Sequence, residues 1–299
     1  MATVTGTLKT YDQVGKKEDV EKIIYNITPT DTPFISAIGT STAKNTLHQW
    51  QTDELAAAAS NAKVDGADAG TASGGTTTML SAHTQILDKV IQTSGSADAM
   101  STYGRDKELA YQKYKAGKEL KRDVEYAMVG ANQSGTAGNA TTARELKSAQ
   151  NWIDSATTDT AGSDRALTET ILENVLEKCY NEGGTPNMVM VTPSHSKIIA
   201  GFAAASGRNR DFGTGTKVVN AVNLYVSPYG QVSVVLNRHL KSDTLLALDS
   251  DYWSRAVYRP TQIETLAKTG DSTKMQMLTE LTLVCKAPKA SGLASALND

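Results

Sequence analysis

The sequence is short of several features that define common classes of protein. It has two cysteines in 299 residues, and aromatic residues make up 6% of the chain. No apolar run approaches the roughly 20 residues that a membrane-spanning helix needs, so the sequence predicts no membrane partner. The formal net charge is −2, from 30 basic and 32 acidic residues, which argues against a strongly basic nucleic-acid-binding protein.

The two cysteines, Cys179 and Cys285, lie in apolar runs of the sequence. Small core residues account for them better than a disulfide, a metal site or a nucleophile. The first residues, MATVTGTLKTYDQ, lack the charged start and the apolar core of a signal peptide, so none is predicted. Together these features favour a soluble protein made in a reducing cytoplasm.

The most strongly patterned stretch runs from Ala97 to Ala131 and contains no proline. Its charged side chains, Glu125 among them, are predicted to lie on the solvent-exposed face of a helix. Its apolar residues recur in steps of three and four, the period of one helix face. They are Ala110, Tyr114, Leu120, Val124, Met128 and Ala131, with Gly117 on the same stripe. The pattern predicts one continuous helix about 50 Å long.

The chain before this helix has few of the side chains that form a hydrophobic core. This composition is typical of arms and loops that extend away from a domain. Residues 1–20 are polar, and an isolated segment of this kind cannot bury enough surface to fold alone. Residues 46–54 and 79–93 resemble strands. Between them, 18 of the 23 residues from Ala56 to Thr78 are Ala, Gly, Ser or Thr. We expect a projecting hairpin with a long irregular tip, and a disordered insertion is the alternative.

The second half of the chain is predicted to mix helices and strands. Helices are expected at Arg144–Ser155 and Leu167–Asn181, followed by a buried strand at Met188–Thr192 and a helix with Ser194 as its N-cap. The last 13 residues, APKASGLASALND, are predicted to be a frayed tail. The later strands are predicted at 218–226, 232–236, 244–248, 255–258, 262–268 and 274–286.

No set of residues forms a recognisable catalytic or metal-binding constellation. Ser194 and His195 are neighbours in the chain, which does not make a Ser–His relay, and no G-x-S-x-G elbow occurs. The loop Gly213–Lys217 lacks the spacing of a phosphate-binding loop. The histidines lack metal-ligand spacing: they are His48, His83, His195 and His239. We therefore expect no catalytic, cofactor-binding or metal-binding residues, and we expect His48 and His83 to face each other across the hairpin.

Several long stretches carry a resemblance to a known family. They include TYDQVGKKEDVEKIIYNITPTDTPFISAIG, KELKRDVEYAM and LALDSDYWSRAVYRPTQIETLAKTGDSTKMQM, and the similar stretches together reach from about Thr10 to about Lys286. They resemble the major capsid proteins of tailed bacteriophages that have the Hong Kong 97-type coat fold. The resemblance implies a structural protein, not an enzyme, that needs no cofactor and assembles into an icosahedral head enclosing double-stranded DNA.

The resemblance also implies an α+β fold in five parts. These are an N-arm (1–40), an extended loop (41–92), a peripheral domain with a long spine helix (93–139), an axial domain (140–253), and the return strands of the peripheral domain with a C-terminal tail (254–299).

The implied partners are copies of the same chain, arranged as hexamers and pentamers, a portal protein and nonspecifically packaged DNA, all within a virion assembled in the bacterial cytoplasm. A separate scaffolding protein is expected because no long charged helical segment precedes the arm, and a decoration protein is left open. Lys63 lies in the extended loop, but no asparagine or glutamate matches the cross-linking signature of some relatives, so cross-linking is not predicted. The alternatives are a nanocompartment shell of the same fold and, from another class, an α+β hydrolase using Ser194 and His195.

Overall fold

The computed structural model describes residues 28–70, 74–104, 107–205 and 224–298. Its α-helices are α1 (Pro33–Ala37), α2 (Gly95–Ala99), α3 (Glu108–Val129), α4 (Ala149–Trp152), α5 (Glu169–Asn181) and α6 (Pro193–Ala205). Its strands are β1 (Gly39–Thr42), β2 (Leu47–Thr52), β3 (Thr78–His83), β4 (Gln85–Ser94), β5 (Ser134–Thr136), β6 (Glu145–Lys147), β7 (Thr158–Asp159), β8 (Met188–Val191), β9 (Leu224–Ser227), β10 (Gly230–Leu236), β11 (Leu245–Leu248), β12 (Trp253–Thr265), β13 (Ser272–Cys285) and β14 (Gly292–Ala294).

A four-stranded sheet supports the longest helix. Its strand order is β1-β12-β13-β4, with β1 parallel to β12 and the other pairs antiparallel. Helix α3 packs on this sheet through Ala116 and Leu120, which contact a cluster containing Ile91 and Met277. Burying a side chain such as Leu120 stabilises the fold by roughly 1.5–3 kcal/mol, so this contact fixes the helix along the sheet.

A six-stranded sheet forms the second layer, in the order β7-β14-β11-β8-β10-β9. Its inner strands β8 and β11 are buried at every residue. This burial explains why both read as continuous apolar runs in the sequence instead of alternating apolar and polar residues. Helix α5 covers the sheet with one apolar face, formed by Ile171, Leu172, Val175, Leu176 and Cys179.

One apolar core joins the two sheets. Leu246 of the six-stranded sheet lies in the same buried cluster as Leu283 of the four-stranded sheet. Phe34 of α1 belongs to this cluster and meets Trp253 edge-on, with ring centroids 6.0 Å apart. Both rings are buried, so helix α1 is part of the core and the two sheets form one folded unit.

The long helix is shorter than predicted. Helix α3 has 22 residues, and the preceding Gly95–Ala99 forms the separate helix α2. Between them Gly104 adopts a φ of +79°, a left-handed conformation that a continuous right-handed helix does not contain. The buried stripe also differs from the prediction, because Tyr114 is exposed whereas Glu125 is fully buried.

The projecting hairpin is confirmed, with a correction to its second strand. Strands β2 and β3 pair antiparallel over six residues. The predicted strand 79–93 is two strands, because the chain turns at Thr84, whose N–H donates to the carbonyl of Thr46 at 2.9 Å. Strand β4 then leaves the hairpin and pairs with β13 in the four-stranded sheet.

Two helix predictions need correction. Within Arg144–Ser155, only α4 is helical, and β6 is a strand that places Leu146 in the core. Helix α6 begins at Pro193, a residue whose fixed φ suits the first helical position. Thr192, and not Ser194, therefore caps it: the N–H of His195 donates to Thr192 Oγ1 at 3.4 Å.

The remaining strand predictions are mostly confirmed. Residues 232–236, 244–248 and 274–286 lie in or close to β10, β11 and β13, and helix α5 matches its predicted span within two residues. The two strands predicted at 255–258 and 262–268 are one strand, β12, which bends through register shifts near Arg259. The predictions for the arm before residue 28, for the loop Gly213–Lys217 and for residues 218–223 lie outside the described residues.

The prediction of a frayed tail is wrong. Strand β14 lies inside the six-stranded sheet, between β11 and β7, and Leu297 beyond it is buried. Gly292 opens this strand at a point without room for a side chain, because an added Cβ would collide with Val175 Cγ1 and Cys179 Sγ of helix α5. Residues 292–294 therefore belong to the six-stranded sheet and not to the four-stranded sheet.

We expect Gly292→Ala to destabilise the protein by roughly 1–3 kcal/mol, because the extra methyl group overpacks the contact with α5. Gly201 in α6 is the matched control, since an added Cβ there meets no atom within 4 Å. Gly201→Ala should leave the stability unchanged or raise it by up to about 1 kcal/mol. Urea unfolding followed by circular dichroism compares the two, and equal free energies of unfolding would contradict the packing described for β14.

Candidate assembly site

Residues 53–77, here called the projecting loop, extend from the hairpin of β2 and β3. The described residues 53–70 and 74–77 contain no helix or strand, and all of them are exposed. Leu55 and Val64 are 99% and 81% exposed. A loop that makes so few contacts with its own subunit leaves its apolar side chains available to another molecule.

The root of the projecting loop is held by aromatic contacts. Trp50 of β2 donates from Nε1 to the carbonyl of Cys285 at 3.1 Å, and its ring centroid lies 5.3 Å from that of Trp152. Lys147 Nζ lies 4.3 Å from the centre of the Trp152 ring. Burial lowers the pKa of Lys147, because desolvation penalises the charged amine. These contacts fix β2 against the end of β13.

A surface ion pair lies where the projecting loop leaves the hairpin. Lys289 Nζ lies 3.1 Å from Glu54 Oε2 and 3.4 Å from Glu182 Oε2. The hydrogen bond to Glu54 raises the pKa of Lys289, with a further contribution from Glu182. Exposed pairs of this kind contribute little stability, so the contact adds little to holding the loop or the fold in place.

Glu280 of β13 is a buried carboxylate at the base of the hairpin, 1% exposed. Its Oε1 accepts hydrogen bonds from Arg144 Nη2 and Thr84 Oγ1, both at 2.6 Å. Its Oε2 accepts one from Arg259 Nε at 2.7 Å. Two cations and a hydroxyl therefore compensate the carboxylate for its lost water. The cluster joins the start of β4, the segment before β6, and β12.

Glu125 of α3 is a second buried carboxylate, with no exposed surface. Its oxygens accept hydrogen bonds from the backbone N–H groups of Phe34, at 2.8 Å, and Ile35, at 2.9 Å. Those N–H groups lie in the first turn of α1, where a helix has no internal partner for them. Asn237, which follows β10, donates from Nδ2 to Glu125 Oε1 at 2.7 Å.

The environment of Glu125 raises the pKa of its carboxyl. Desolvation by burial is the largest cause, and the hydrogen bonds from Ile35, Phe34 and Asn237 and the charge of Lys121 act in the opposite direction. One side chain thereby ties the entry segment α1, the long helix α3 and the end of β10 together. It therefore links both sheets at a single point.

Ser194 and His195 do not form a catalytic pair. His195 is fully buried, and both of its ring nitrogens are engaged. Its Nδ1 lies 3.1 Å from Thr192 Oγ1, and its Nε2 lies 2.9 Å from the backbone oxygen of Asn298. Through these contacts His195 holds the segment that follows β14 against the start of helix α6.

The other predicted site residues are also dispersed. His48 pairs with Ala82 and His83 with Leu47, so the two histidines lie on opposite faces of the hairpin and the prediction that they face each other is wrong. Lys63 is exposed on the projecting loop. Within residues 28–70, 74–104, 107–205 and 224–298, no group of three or more metal-ligating side chains occurs. None of the helices in those ranges is long and apolar enough to span a membrane.

Comparison with known proteins identifies the family. The SU10 major capsid protein family model matches residues 3–298. The chain belongs to this family. The major capsid protein of Escherichia phage Phieco32 is 31% identical to it, over 95% of each chain. The prediction of a phage major capsid protein, a structural component of the virion capsid, is therefore confirmed.

Solved structures show the same architecture. The capsid asymmetric unit of cyanophage A-1(L) superposes with a TM-score of 0.74 at 12% identity, covering 97% of this chain and 99% of that one. The SrpI encapsulin complex of Synechococcus elongatus PCC 7942 gives a TM-score of 0.62 at 7% identity, covering 95% and 92%. The chain has the Hong Kong 97-type coat fold, so the predicted α+β class is confirmed.

Sequence reasoning missed the two buried carboxylates. The charge pattern of the long helix places Glu125 on its solvated face, and Glu280 lies in a strand without an acidic neighbour. One sequence signal was available for Glu280: the run Thr279–Cys285 is apolar apart from threonines and this one charge, which is typical of a buried strand. A charge within such a run requires a buried partner.

Replacing Glu125 with glutamine should cost roughly 1–3 kcal/mol at about pH 4, because an amide nitrogen cannot accept the hydrogen bond of a backbone N–H. Since burial raises the pKa of Glu125 in the folded state, the stability from its titration is present below the unfolded pKa and is lost as the pH rises through the folded pKa. The deficit of Glu125→Gln should therefore shrink as the pH rises above about 4, the usual range of a glutamate carboxyl. Urea unfolding over this range measures it, with Glu119→Gln on the same helix as control; a deficit independent of pH would contradict the raised pKa.

Replacing Thr84 with valine should cost about 1.5–3 kcal/mol, because it removes a hydrogen bond to the charged carboxylate of Glu280 without changing the shape of the side chain. Thr93 is a matched control, since its buried hydroxyl has no partner within the described ranges. Thr93→Val should be neutral or stabilising. Free energies of unfolding in urea compare the two variants, and equal losses would show that the Glu280 cluster adds no specific stability.

Proposed function

We propose that this capsid protein forms hexameric and pentameric rings that build the icosahedral head of a tailed phage around double-stranded DNA. The projecting loop carries the proposal. It is exposed along its described length, yet its root is fixed by Trp50 and by the Glu280 cluster. A rigid root with a free tip is suited to contact a neighbouring copy.

In this proposal the six-stranded sheet is the axial domain and gathers at the centre of each ring. The four-stranded sheet, with α3 as its spine, is the peripheral domain. The projecting loop and the arm before Thr28 lie over adjacent subunits and link the rings. Because both sheets share one core, maturation moves the projections and rotates whole subunits without refolding them.

The proposed partners beyond the chain itself are the packaged DNA, a portal protein, a scaffolding protein and, in some shells, a decoration protein. The near-neutral net charge of −2 supports DNA contacts that are weak, nonspecific and screened by salt. We also propose that the chain has no enzymatic activity, since His195 has both ring nitrogens engaged in holding the segment after β14.

Assembly of the purified chain, alone and co-expressed with the neighbouring genes of its phage, tests the proposal. Light scattering and negative-stain images should show rings or closed shells. A chain that stayed monomeric under both conditions would overturn the proposal. Shells that contained protein cargo instead of DNA would favour a nanocompartment, the alternative that the similarity to the encapsulin fold raises.

Replacing residues 56–75 of the projecting loop with two glycines should abolish closed shells while leaving the melting temperature within a few degrees of the wild-type value. The reason is that the described part of this loop is exposed and contributes little to the subunit's own core. Differential scanning fluorimetry and electron microscopy measure the two properties on the same preparation. Normal shells from this variant would contradict the proposed role of the loop.

A further inference from the structure

A groove of about 400 Å³ lies between helix α3 and strand β12, on the face of the four-stranded sheet that α3 covers. Its volume is within the range of about 300–1,000 Å³ that is usual for binding pockets. Val257 and Leu281 are paired across β12 and β13, so the strand side chains of the floor share one face of the sheet. The apolar floor consists of Leu120, Val124, Val257, Met277 and Leu281.

Gly117 leaves space in the middle of this groove. A glycine inside a helix costs roughly 0.5–1 kcal/mol relative to alanine. An alanine would fit at this position, because an added Cβ would lie 3.8 Å from Met277 Cε, an ordinary contact distance. The subunit's own packing therefore does not require the glycine, and the space beside it is open to another molecule.

The rim of the groove is positively charged. Lys121 of α3 and Arg255 of β12 lie on it, and the described residues that line it include no carboxylate. Neither cation forms an ion pair within the described ranges, although Arg255 Nε donates to Thr40 Oγ1 at 3.0 Å. Pro260 and Thr261 are exposed on the outer side, because β1 pairs only with the first part of β12. This rim fits a partner that carries carboxylates beside an apolar side chain.

The projecting loop carries such a group. The N–H of Ala67 donates to the carbonyl of Val64 at 3.0 Å, and Gly66 has a φ of +80°, so the chain makes a turn here. Val64 is 81% exposed on this turn, beside Asp65, and Asp68 directly follows the turn. The described part of the loop has four acidic residues and one lysine, so its charge is opposite to that of the groove.

The loop can reach beyond its own subunit. The chain from Thr52 to Val64 spans at most about 40 Å when extended. A folded chain of 299 residues has a radius of gyration of about 19 Å. Every described residue of the loop is exposed, so the groove of its own subunit does not hold it. These observations favour a second copy as the source of the loop that enters the groove.

We infer that the groove between α3 and β12 of each copy binds the turn of a neighbouring copy's projecting loop. Val64 packs on the apolar floor, and Asp65 and Asp68 lie beside Lys121 and Arg255 on the rim. The apolar anchor supplies most of the affinity, whereas the exposed charge pairs set the orientation. This inference rests on the proposed function, and it adds the surface that receives the loop.

Cysteine cross-linking in assembled shells tests the inference. Ala67→Cys on the turn, combined with Thr261→Cys on the rim, should give a ladder of covalent multimers on nonreducing gels after mild oxidation. The native thiols of Cys179 and Cys285 are fully buried and do not compete. Ala67→Cys with Lys115→Cys is the matched control and should give monomers, because Lys115 is exposed on the side of α3 that faces β4.

The outcomes separate this inference from the proposed function. Shells without a ladder, equal ladders from the two cysteine pairs, or cross-links confined to single chains would overturn the inference and leave the proposed function standing. A wild-type chain that built neither rings nor shells would overturn the proposed function and the inference with it.

Charge reversal with rescue tests the pairing on the rim. Lys121→Glu with Arg255→Glu should lower the yield of shells at least about tenfold, because like charges then meet at every interface. Adding Asp65→Lys and Asp68→Lys to the same chain should restore most of the yield, since both sides of each interface are then reversed. An undiminished yield from the first variant, or no recovery in the second, would overturn the inference.

Discussion

A single buried carboxylate connects the main parts of this capsid protein. Glu125 accepts hydrogen bonds from the first turn of α1 and from Asn237 at the end of β10, while its own helix lies across the four-stranded sheet. A charge in such a place is tolerated only if each oxygen has donors. The relative positions of the entry segment and the two sheets are therefore set by a geometric requirement, in addition to apolar packing.

The stability of the molecule is unevenly distributed, and that distribution fits its role in a capsid. The buried cluster shared by both sheets forms a unit that resists local opening, whereas the described part of the projecting loop is exposed throughout. The Glu280 cluster lies at the base of the hairpin, between the buried core and the projecting loop, and fixes where the hairpin begins. In the proposed shell, the subunit would present the same base at each position while the projecting loop met each neighbour.

Periodicity and composition predicted much of this architecture. Helix α5 was predictable because its apolar stripe is regular and glycines follow it in the sequence. In the structure Gly183 takes the left-handed conformation, with a φ of +87°. The hairpin was predictable because strand-like flanks enclose a tract of small residues. Glu125 was not, because charged residues on a helix are usually solvated, and its partner Phe34 is 91 positions away in the chain. Strand β14 has three residues, too few for any periodic signal.

The position of β14 has a consequence for the order of events during synthesis. The six-stranded sheet pairs β14 with β7, which lies more than a hundred residues earlier, and with β11. A ribosome adds about 5–20 residues per second, so β7, β8 and β11 emerge seconds before the strand that completes their sheet. The nascent chain cannot close its second layer until residues 292–294 are free of the ribosome. The edge of β11 that pairs with β14 is therefore unpaired for seconds during translation, although every residue of β11 is buried in the folded subunit.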